Sequence, residues 1–488
     1  MKTFSLLFLA VSSSAVAALP SVGPDYAAPS VAAPAAYRDA ADTGTWQVAV
    51  PNDAASRGEW WRLFNDPALD TLESRALAAN QDLRAAAARV EQARAAAGLA
   101  HGAYWPQVAF APSVSRDRTS GTTDNLPPQL TTTTERAPLT ASWELDLFGR
   151  VRRLNESARA DAEASAATFE SVRLSLTADV AVNYFSLRAL DRESALLQQT
   201  AVLRRRALDL VSAQQRGGAT GELDVARAET ELATVETDAA ALANRRAALQ
   251  NALAVLLGAP ASEFALVTDT AVESLPPVVP AGLPAGVLER RPDIAAAERA
   301  LASANARIGV AKAAFFPAIS LTGSAGYASN DIDHLFTADS RAWSIGPSLY
   351  LPIFQGGRNR ANLARSRAAY DESVAVFRQS VLVAFREVQD ALTATRLLAE
   401  QSAAQNRALV SARRAAQLAQ TRYDAGYVTY FEVIDAQRTV LGLERAAAQL
   451  AAQRLNNGVA LIKSLGGGWH REPSTQVAAR SPGQPSPS

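Results

Sequence analysis

Two stretches of this chain, Arg150 to Ala213 and Arg358 to Ala425, contain neither proline nor glycine. An alanine-rich run of that length without a helix breaker predicts one continuous helix in each case. At a rise of about 1.5 Å per residue, each would reach roughly 95 to 100 Å. The second carries Tyr370, Val374, Phe377, Val381, Phe385, Val388 and Leu392 at steps of four and three, the seam of a coiled coil.

The two runs stand in constant register. Arg150 and Arg358 differ by 358 − 150 = 208, and the glycines that end the runs, Gly218 and Gly426, differ by 426 − 218 = 208. The same offset links Phe169 with Phe377, Val180 with Val388, Glu236 with Glu444, and Gly258 with Gly466. Matches at turn glycines are not a by-product of alanine content, so the chain reads as an internal duplication. Repeat one covers 66–258 and repeat two 293–466, joined by a proline-rich connection over 259–292. Each long helix (150–213, 358–424) reverses at its glycine into a return helix (222–257, 431–464) half as long. Helices ahead of the strands, 66–103 and 293–315, fill the remaining length.

Between those helices lie strand-like runs at 106–115 and 138–148, and again at 317–327 and 343–353. Residues 139–147 set Leu139, Ala141, Trp143, Leu145 and Leu147 against Thr140, Ser142, Glu144 and Asp146, a period of two with one apolar face. Trp343, Ile345, Leu349, Leu351 and Ile353 repeat the pattern. The strands have the length of tilted membrane strands, and long polar loops separate them. Four strands cannot close a barrel, and an open edge in lipid leaves backbone groups unsatisfied. From alternation alone, two readings stand: a barrel shared among several chains, or a water-soluble sheet half-buried on the helices.

Residues 1–17 read as a signal peptide: Lys2, an apolar core from Phe4 to Val11, and a small-residue cleavage site at Ala15-Val16-Ala17. An extension over 18–65 follows, and the tail over 467–488 ends in a segment of disordered composition. Basic and acidic residues balance at 48 each, which removes the electrostatic case for nucleic-acid binding. The chain has no cysteine, and His101, His334 and His470 stand apart without metal-ligand spacing. No phosphate-loop or nucleophile-elbow motif is present, so no cofactor, metal or catalytic site is expected.

The reversal after the second long helix reads "RYDAGYVTYFEVIDAQR" over 422–438, and that after the first "QQRGGATGELDVARAET" over 214–230. Together with "VGPDYAAP" (22–29), "WWRLFNDPALDTL" (60–72), "ANQDLRAAAARVEQARA" (79–95), "ERRPDIAAAERAL" (289–301) and "LGGGW" (465–469), the stretch over 422–438 resembles the TolC-like outer-membrane efflux factors, in the drug and metal efflux branch. The resemblance spans essentially the whole mature chain. It implies a mainly α homotrimer in which four strands per chain form one shared twelve-stranded barrel in outer-membrane lipid. The helices would continue from the barrel as a periplasmic tunnel. It implies a passive exit duct, not an enzyme, working with a periplasmic adaptor and an inner-membrane pump. A duct for type I protein secretion is the nearest alternative, and a pore-free periplasmic scaffold a further one. Many relatives carry a lipidated cysteine just before "VGPDY"; this chain has Leu19-Pro20 there, so cleavage after Ala17 is the direct reading.

The resemblance also places the turns at a closed periplasmic tip. Asp435 falls on the family's constriction aspartate, Phe431 on its apolar ring and Glu432 on a neighbouring acidic position. Asp224 and Tyr423 fall on positions that hold adjacent helices together. Gly218, Gly426, Tyr427 and Tyr430 belong to the tip and its adaptor contacts, and Trp143, Leu145, Trp343 and Leu349 to the barrel. Phe431 and Asp435 are one helical turn apart, so three copies about an axis would stack two rings, the carboxylates selecting cations. Asp224, Glu432 and Asp435 are equally the acids that any helix N-terminus favours. Only the second hairpin pairs a phenylalanine with an aspartate in this way, so the narrowest point is expected there.

Overall fold

The computed structural model describes residues 21–30, 58–122, 130–268, 277 and 290–467. The expected signal peptide, most of the extension and connection, and the tail lie outside the described residues. The elements in order are α1 (Pro67–Ala79), α2 (Gln81–Gly102), β1 (Gln107–Phe110), β2 (Ser113–Arg118), β3 (Thr131–Leu145), α3 (Arg150–Arg216), α4 (Glu222–Leu256), α5 (Pro292–Ala313), β4 (Ala318–Ser329), β5 (Arg341–Tyr350), α6 (Arg358–Asp424) and α7 (Tyr430–Ser464). Helices α3 and α6 are 67 residues each and α4 and α7 are 35 each, with both pairs offset by 208 at each end (358 − 150, 424 − 216, 430 − 222, 464 − 256). Helices α2 and α5, 22 residues each, are offset by 292 − 81 = 211, so three residues are gained or lost between them and the long helices.

The chain divides into two units, 1–31, 87–168 and 293–380 forming one and 32–86, 169–292 and 381–488 the other. The first holds the antiparallel sheet, ordered β1-β3-β4-β5, with β2 also on β3. Strands β1 and β2 are two pieces of one edge, because Phe110 faces Leu139 and Ser113 faces Arg136 in unbroken register. Pro112 and Pro138, which lack backbone donors, fall at the gap. Strand β3 begins at Thr131, seven residues before the expected 138. Thr131 to Thr134 are β-branched and suit a strand, but their polarity hides the apolar alternation that marks one.

Cross-strand partners sort the side chains into two faces. Leu145, Ile319 and Leu349 lie in one row, Trp143, Leu321 and Pro347 in the next, and Leu139, Ala325 and Trp343 in a third. The opposite face carries Ser142 with Thr322, and Thr140 with Ser324 and Ser344. Val108, Phe110, Leu139, Trp343, Ile345 and Leu349 are each more than half exposed. Below the sheet, Glu144 takes both Nε and Nη2 of Arg150 at 2.7 and 2.5 Å, and Asp146 takes Arg152. Residues 21–30 run along this unit: Val22 N–H donates to Phe148 O, Asp25 pairs with Arg153 at 2.6 Å, and the Tyr26 hydroxyl donates to Glu298. Gly23 is required there, since a Cβ would come 2.6 Å from Gly309 Cα.

In the second unit Asp66 caps α1, accepting from Ala68 N and Leu69 N, with Pro67 at the first helical position. Its other oxygen accepts from the Tyr184 hydroxyl at 2.8 Å. Trp60, Trp61 and Phe64 are buried in the core with Leu69, Leu72 and Phe185, which accounts for the tryptophan pair by packing. The helix expected over 66–103 is divided at Asn80. Its side chain accepts from Leu83 N to start α2 and donates to Leu256 O.

Glu73 is fully buried on the apolar face of α1, and neither carboxylate oxygen has a hydrogen-bond partner. Burial first, then Asp70, raises its pKa to about 9 from 4.5. The unfolded chain releases this proton near 4.5 and the folded chain holds it to about 9, so stability falls as pH rises through that window. Glu73→Leu is therefore expected to raise the thermal midpoint in detergent, by more at pH 8 than at pH 5. An equal shift at both values would exclude the titration as the cause.

Candidate functional site

The two hairpin turns lie in the second unit and are built alike. At the first, Gly218 N–H donates to Gln215 O and Ala219 N–H to Gln214 O; at the second, Gly426 N–H donates to Tyr423 O and Tyr427 N–H to Arg422 O. This is the helix-ending pattern that satisfies the last carbonyls through a left-handed residue, here Gly218 at φ 75° and Gly426 at φ 77°.

Beyond the turns the hairpins differ. Phe431 and Asp435 lie on α7 one turn apart, both exposed, while Val433 and Ile434 between them are buried. Glu432 is also exposed. At the position of Asp435 the first hairpin has Arg227 (435 − 208 = 227), and its guanidinium lies 5.6 Å from the Phe431 ring centroid. Arg227 also pairs with Asp224 at 3.8 Å, so Asp224 and Phe431 are joined through a residue that the sequence reading left out. Tyr423 packs on Tyr430 with ring centroids 5.2 Å apart. Tyr430 is half-buried there, and burial pushes its phenol above the ordinary value while Arg204 opposes the shift. Of the two tyrosines expected as adaptor contacts, only Tyr427, at 79% exposure, stands clear at the tip.

Behind this surface is a second layer of charge. Arg204 of α3, its side chain 3% exposed, donates to Gln437 Oε1 at 3.1 Å and to Ile434 O at 3.5 Å, and its Nε is 3.7 Å from Glu231. Glu231 of α4 accepts from Arg438 of α7 at 2.9 Å through Nε and again through Nη2. One step further, Arg445 bridges Asp238 at 2.7 Å and Glu193 at 2.6 Å. A shared spacing runs through two of these pairs: 438 − 231 and 445 − 238 both equal 207. Glu231 and Asp238, seven apart on α4, opposite Arg438 and Arg445, seven apart on α7, are the legible signal for this ladder.

A groove of about 530 Å³ lies between α3, α6 and α7, floored by Ala195, Ala447, Ala448 and Ala451. Among the described residues no cluster has the composition of a metal site, and no helix is long and apolar enough to cross a membrane. What remains are two helical turns with aromatic, cation–π and ion-pair contacts.

The profile of the outer membrane efflux proteins matches residues 72–259 and 283–467. The chain belongs to that family. The solvent efflux pump outer membrane protein SrpC of Pseudomonas putida is 36% identical over 413 residues, covering 83% of this chain and 86% of that protein. The cation efflux system protein CusC of Escherichia coli is 34% identical over 454 residues, covering 92% and 96%. The solved outer-membrane channel OprN superposes with a TM-score of 0.82 at 32% identity, covering 92% of this chain and 99% of that one. Family membership identifies a transport channel of the outer membrane, not an enzyme.

Neither turn glycine has an atom within 4 Å of its would-be Cβ, so substitution there costs backbone strain alone. Gly218→Ala and Gly426→Ala should each cost about 1 to 2 kcal/mol locally. Faster amide exchange confined to the last turn of the preceding helix is the expected readout.

Proposed function

We propose that three copies of this chain form the outer-membrane exit duct of a tripartite efflux system, carrying small molecules delivered by an inner-membrane pump through a periplasmic adaptor. The observation that carries this reading is the sheet: one face apolar and exposed, the other lined by serine and threonine, and unpaired strands at both edges. In hydrocarbon those edges must find partners, and the partners available are the edges of further copies. Three copies with four strands each, counting β1 and β2 as one, give a twelve-stranded barrel. Trp143, Leu145, Trp343 and Leu349 then face lipid, and the hydroxyl-rich face lines the pore.

Duplication is supported by the family profile matching twice, with starts and ends offset by 283 − 72 = 211 and 467 − 259 = 208, the offsets seen between the helices. The curated relatives are named for solvents in one case and cations in another, which supports a duct that leaves cargo selection to its pump. They are efflux components, and this favours efflux over the protein-secretion alternative. The gate is placed at the second hairpin, with Phe431 and Asp435 toward the axis, Glu432 beside them, and Asp224 and Tyr423 holding the tip through Arg227 and Tyr430. Tyr427 and the alanine-floored groove are offered to the adaptor's helices.

The absence of native cysteine makes the assembly directly testable. Cysteines at Val108 on one edge strand and at positions scanned along β5 are expected to cross-link into trimers on denaturing gels. Failure at every register would remove the shared barrel. In planar bilayers, Asp435→Ala with Asp224→Ala is expected to raise single-channel conductance; an unchanged conductance would remove both from the gate.

A further inference from the structure

Asp435 is exposed, but the turn of α7 that carries it is gripped from the other side. Arg204 donates to the Ile434 carbonyl, immediately before Asp435, and to the Gln437 side chain, two residues after it. Glu231 holds Arg438, one residue further. Val433 and Ile434 are buried on this same side. Anchors at 433, 434, 437 and 438, on one face of the helix, leave this stretch little freedom to rotate, and its rotation is what would carry Asp435 away from an axis.

The two repeats distinguish a gate device from ordinary helix packing. Arg205 pairs with Glu236 at 2.5 Å, and Arg413 with Glu444 at 2.6 Å, in the same register (413 − 205 = 444 − 236 = 208). That exposed pair serves both hairpins and belongs to the scaffold. The buried cluster does not recur: Ala412 stands at the counterpart of Arg204, Thr439 at that of Glu231 and Thr230 at that of Arg438 (412 − 204 = 439 − 231 = 438 − 230 = 208). It occurs only where the hairpin carries Asp435, whose own counterpart is Arg227. A guanidinium suits the task because its fork reaches a carbonyl and an amide at once. Its Nε keeps no hydrogen bond and faces Glu231 at 3.7 Å, so the pair is poised but not saturated.

Resting on the gate reading above, we infer that Arg204 and Glu231 are positioning residues for the gate, fixing the rotation of α7 that presents Asp435 to the axis. The test uses the full-length trimer in planar bilayers with hexaamminecobalt(III) as the probe, since a ring of carboxylates attracts a compact trivalent cation. Arg204→Met and Glu231→Gln are each expected to raise conductance about threefold and to weaken cobalt-complex block roughly tenfold, because the carboxylates no longer converge. Arg204→Lys, which keeps the charge and loses the fork, should fall between. Arg205→Met, in the exposed pair, should match the wild type in both measurements. Wild-type conductance and block in Arg204→Met and Glu231→Gln, while Asp435→Ala alters them, would overturn the positioning role and leave the gate standing. If Asp435→Ala itself changes neither, the gate reading falls first. Should Arg204→Met not assemble, Glu231→Gln decides by the same criteria.

Discussion

Backbone groups at the edge of a sheet must be hydrogen-bonded if the sheet is to sit in lipid, and among the described residues both edges of this sheet are unpaired. That requirement reaches far beyond the strands. The barrel proposed above would need the strands of each copy to hand over to helices at a common level, and the strand-to-helix junction is dense. Glu144 and Asp146, at the end of β3, clasp Arg150 and Arg152 at the start of α3. Residues 21–30 then pass close enough to the junction that Gly149 could not carry a side chain, its Cβ position lying 2.3 Å from Ser21 Cβ. The motif "VGPDY" is thereby explained as a docked strap. Glycine crosses a helix glycine, aspartate meets a buried arginine, and tyrosine reaches Glu298.

Comparing the repeats separates scaffold from function. Helix lengths, turn hydrogen bonds and the exposed Arg–Glu pair are the same in both, as expected when each half must solve the same packing problem. The differences concentrate near the second turn: Phe431 and Asp435, the Arg204 cluster, and Arg227 reaching across to the Phe431 ring. The two hairpins are alike in length and turn geometry, and a few residues in register make one of them unlike the other.

Much of this was legible in the chain. The long helices, their turns and the two-faced strands follow from breaker-free runs, glycine position and period-two alternation. Thr131 to Arg136 escaped because alternation was sought in apolar residues, and the break at Asn80 escaped because its cap is completed by Leu256, far away in sequence. The sequence singles out Phe431, Asp435 and Asp224 as candidates, but not the arginines that lie between and behind them. An arginine on a helix surface reads as solvated unless its partner is known, and the hydrogen-bond partners of Arg204 lie more than two hundred residues on (434 − 204 = 230, 437 − 204 = 233).

Magnitudes indicate which of the tip contacts a partner would displace. The Asp224–Arg227 pair has both side chains about half exposed, and such pairs contribute about 0 to 1 kcal/mol. An exposed cation–π contact such as Arg227 over Phe431 adds about 0.5 to 1 kcal/mol. Removing one partner from a buried pair costs about 3 to 5 kcal/mol, and Arg204 and Glu231 are of that kind. In the proposed trimer the outer contacts count three times. Releasing the outer contacts would then take a few kcal/mol, within reach of a docking interface, whereas drawing Arg204 away from α7 would leave a buried charge without its partners, which costs more. Motion at the tip is therefore expected to begin in the exposed layer, with the buried layer deciding where Asp435 sits until that turn of α7 rotates.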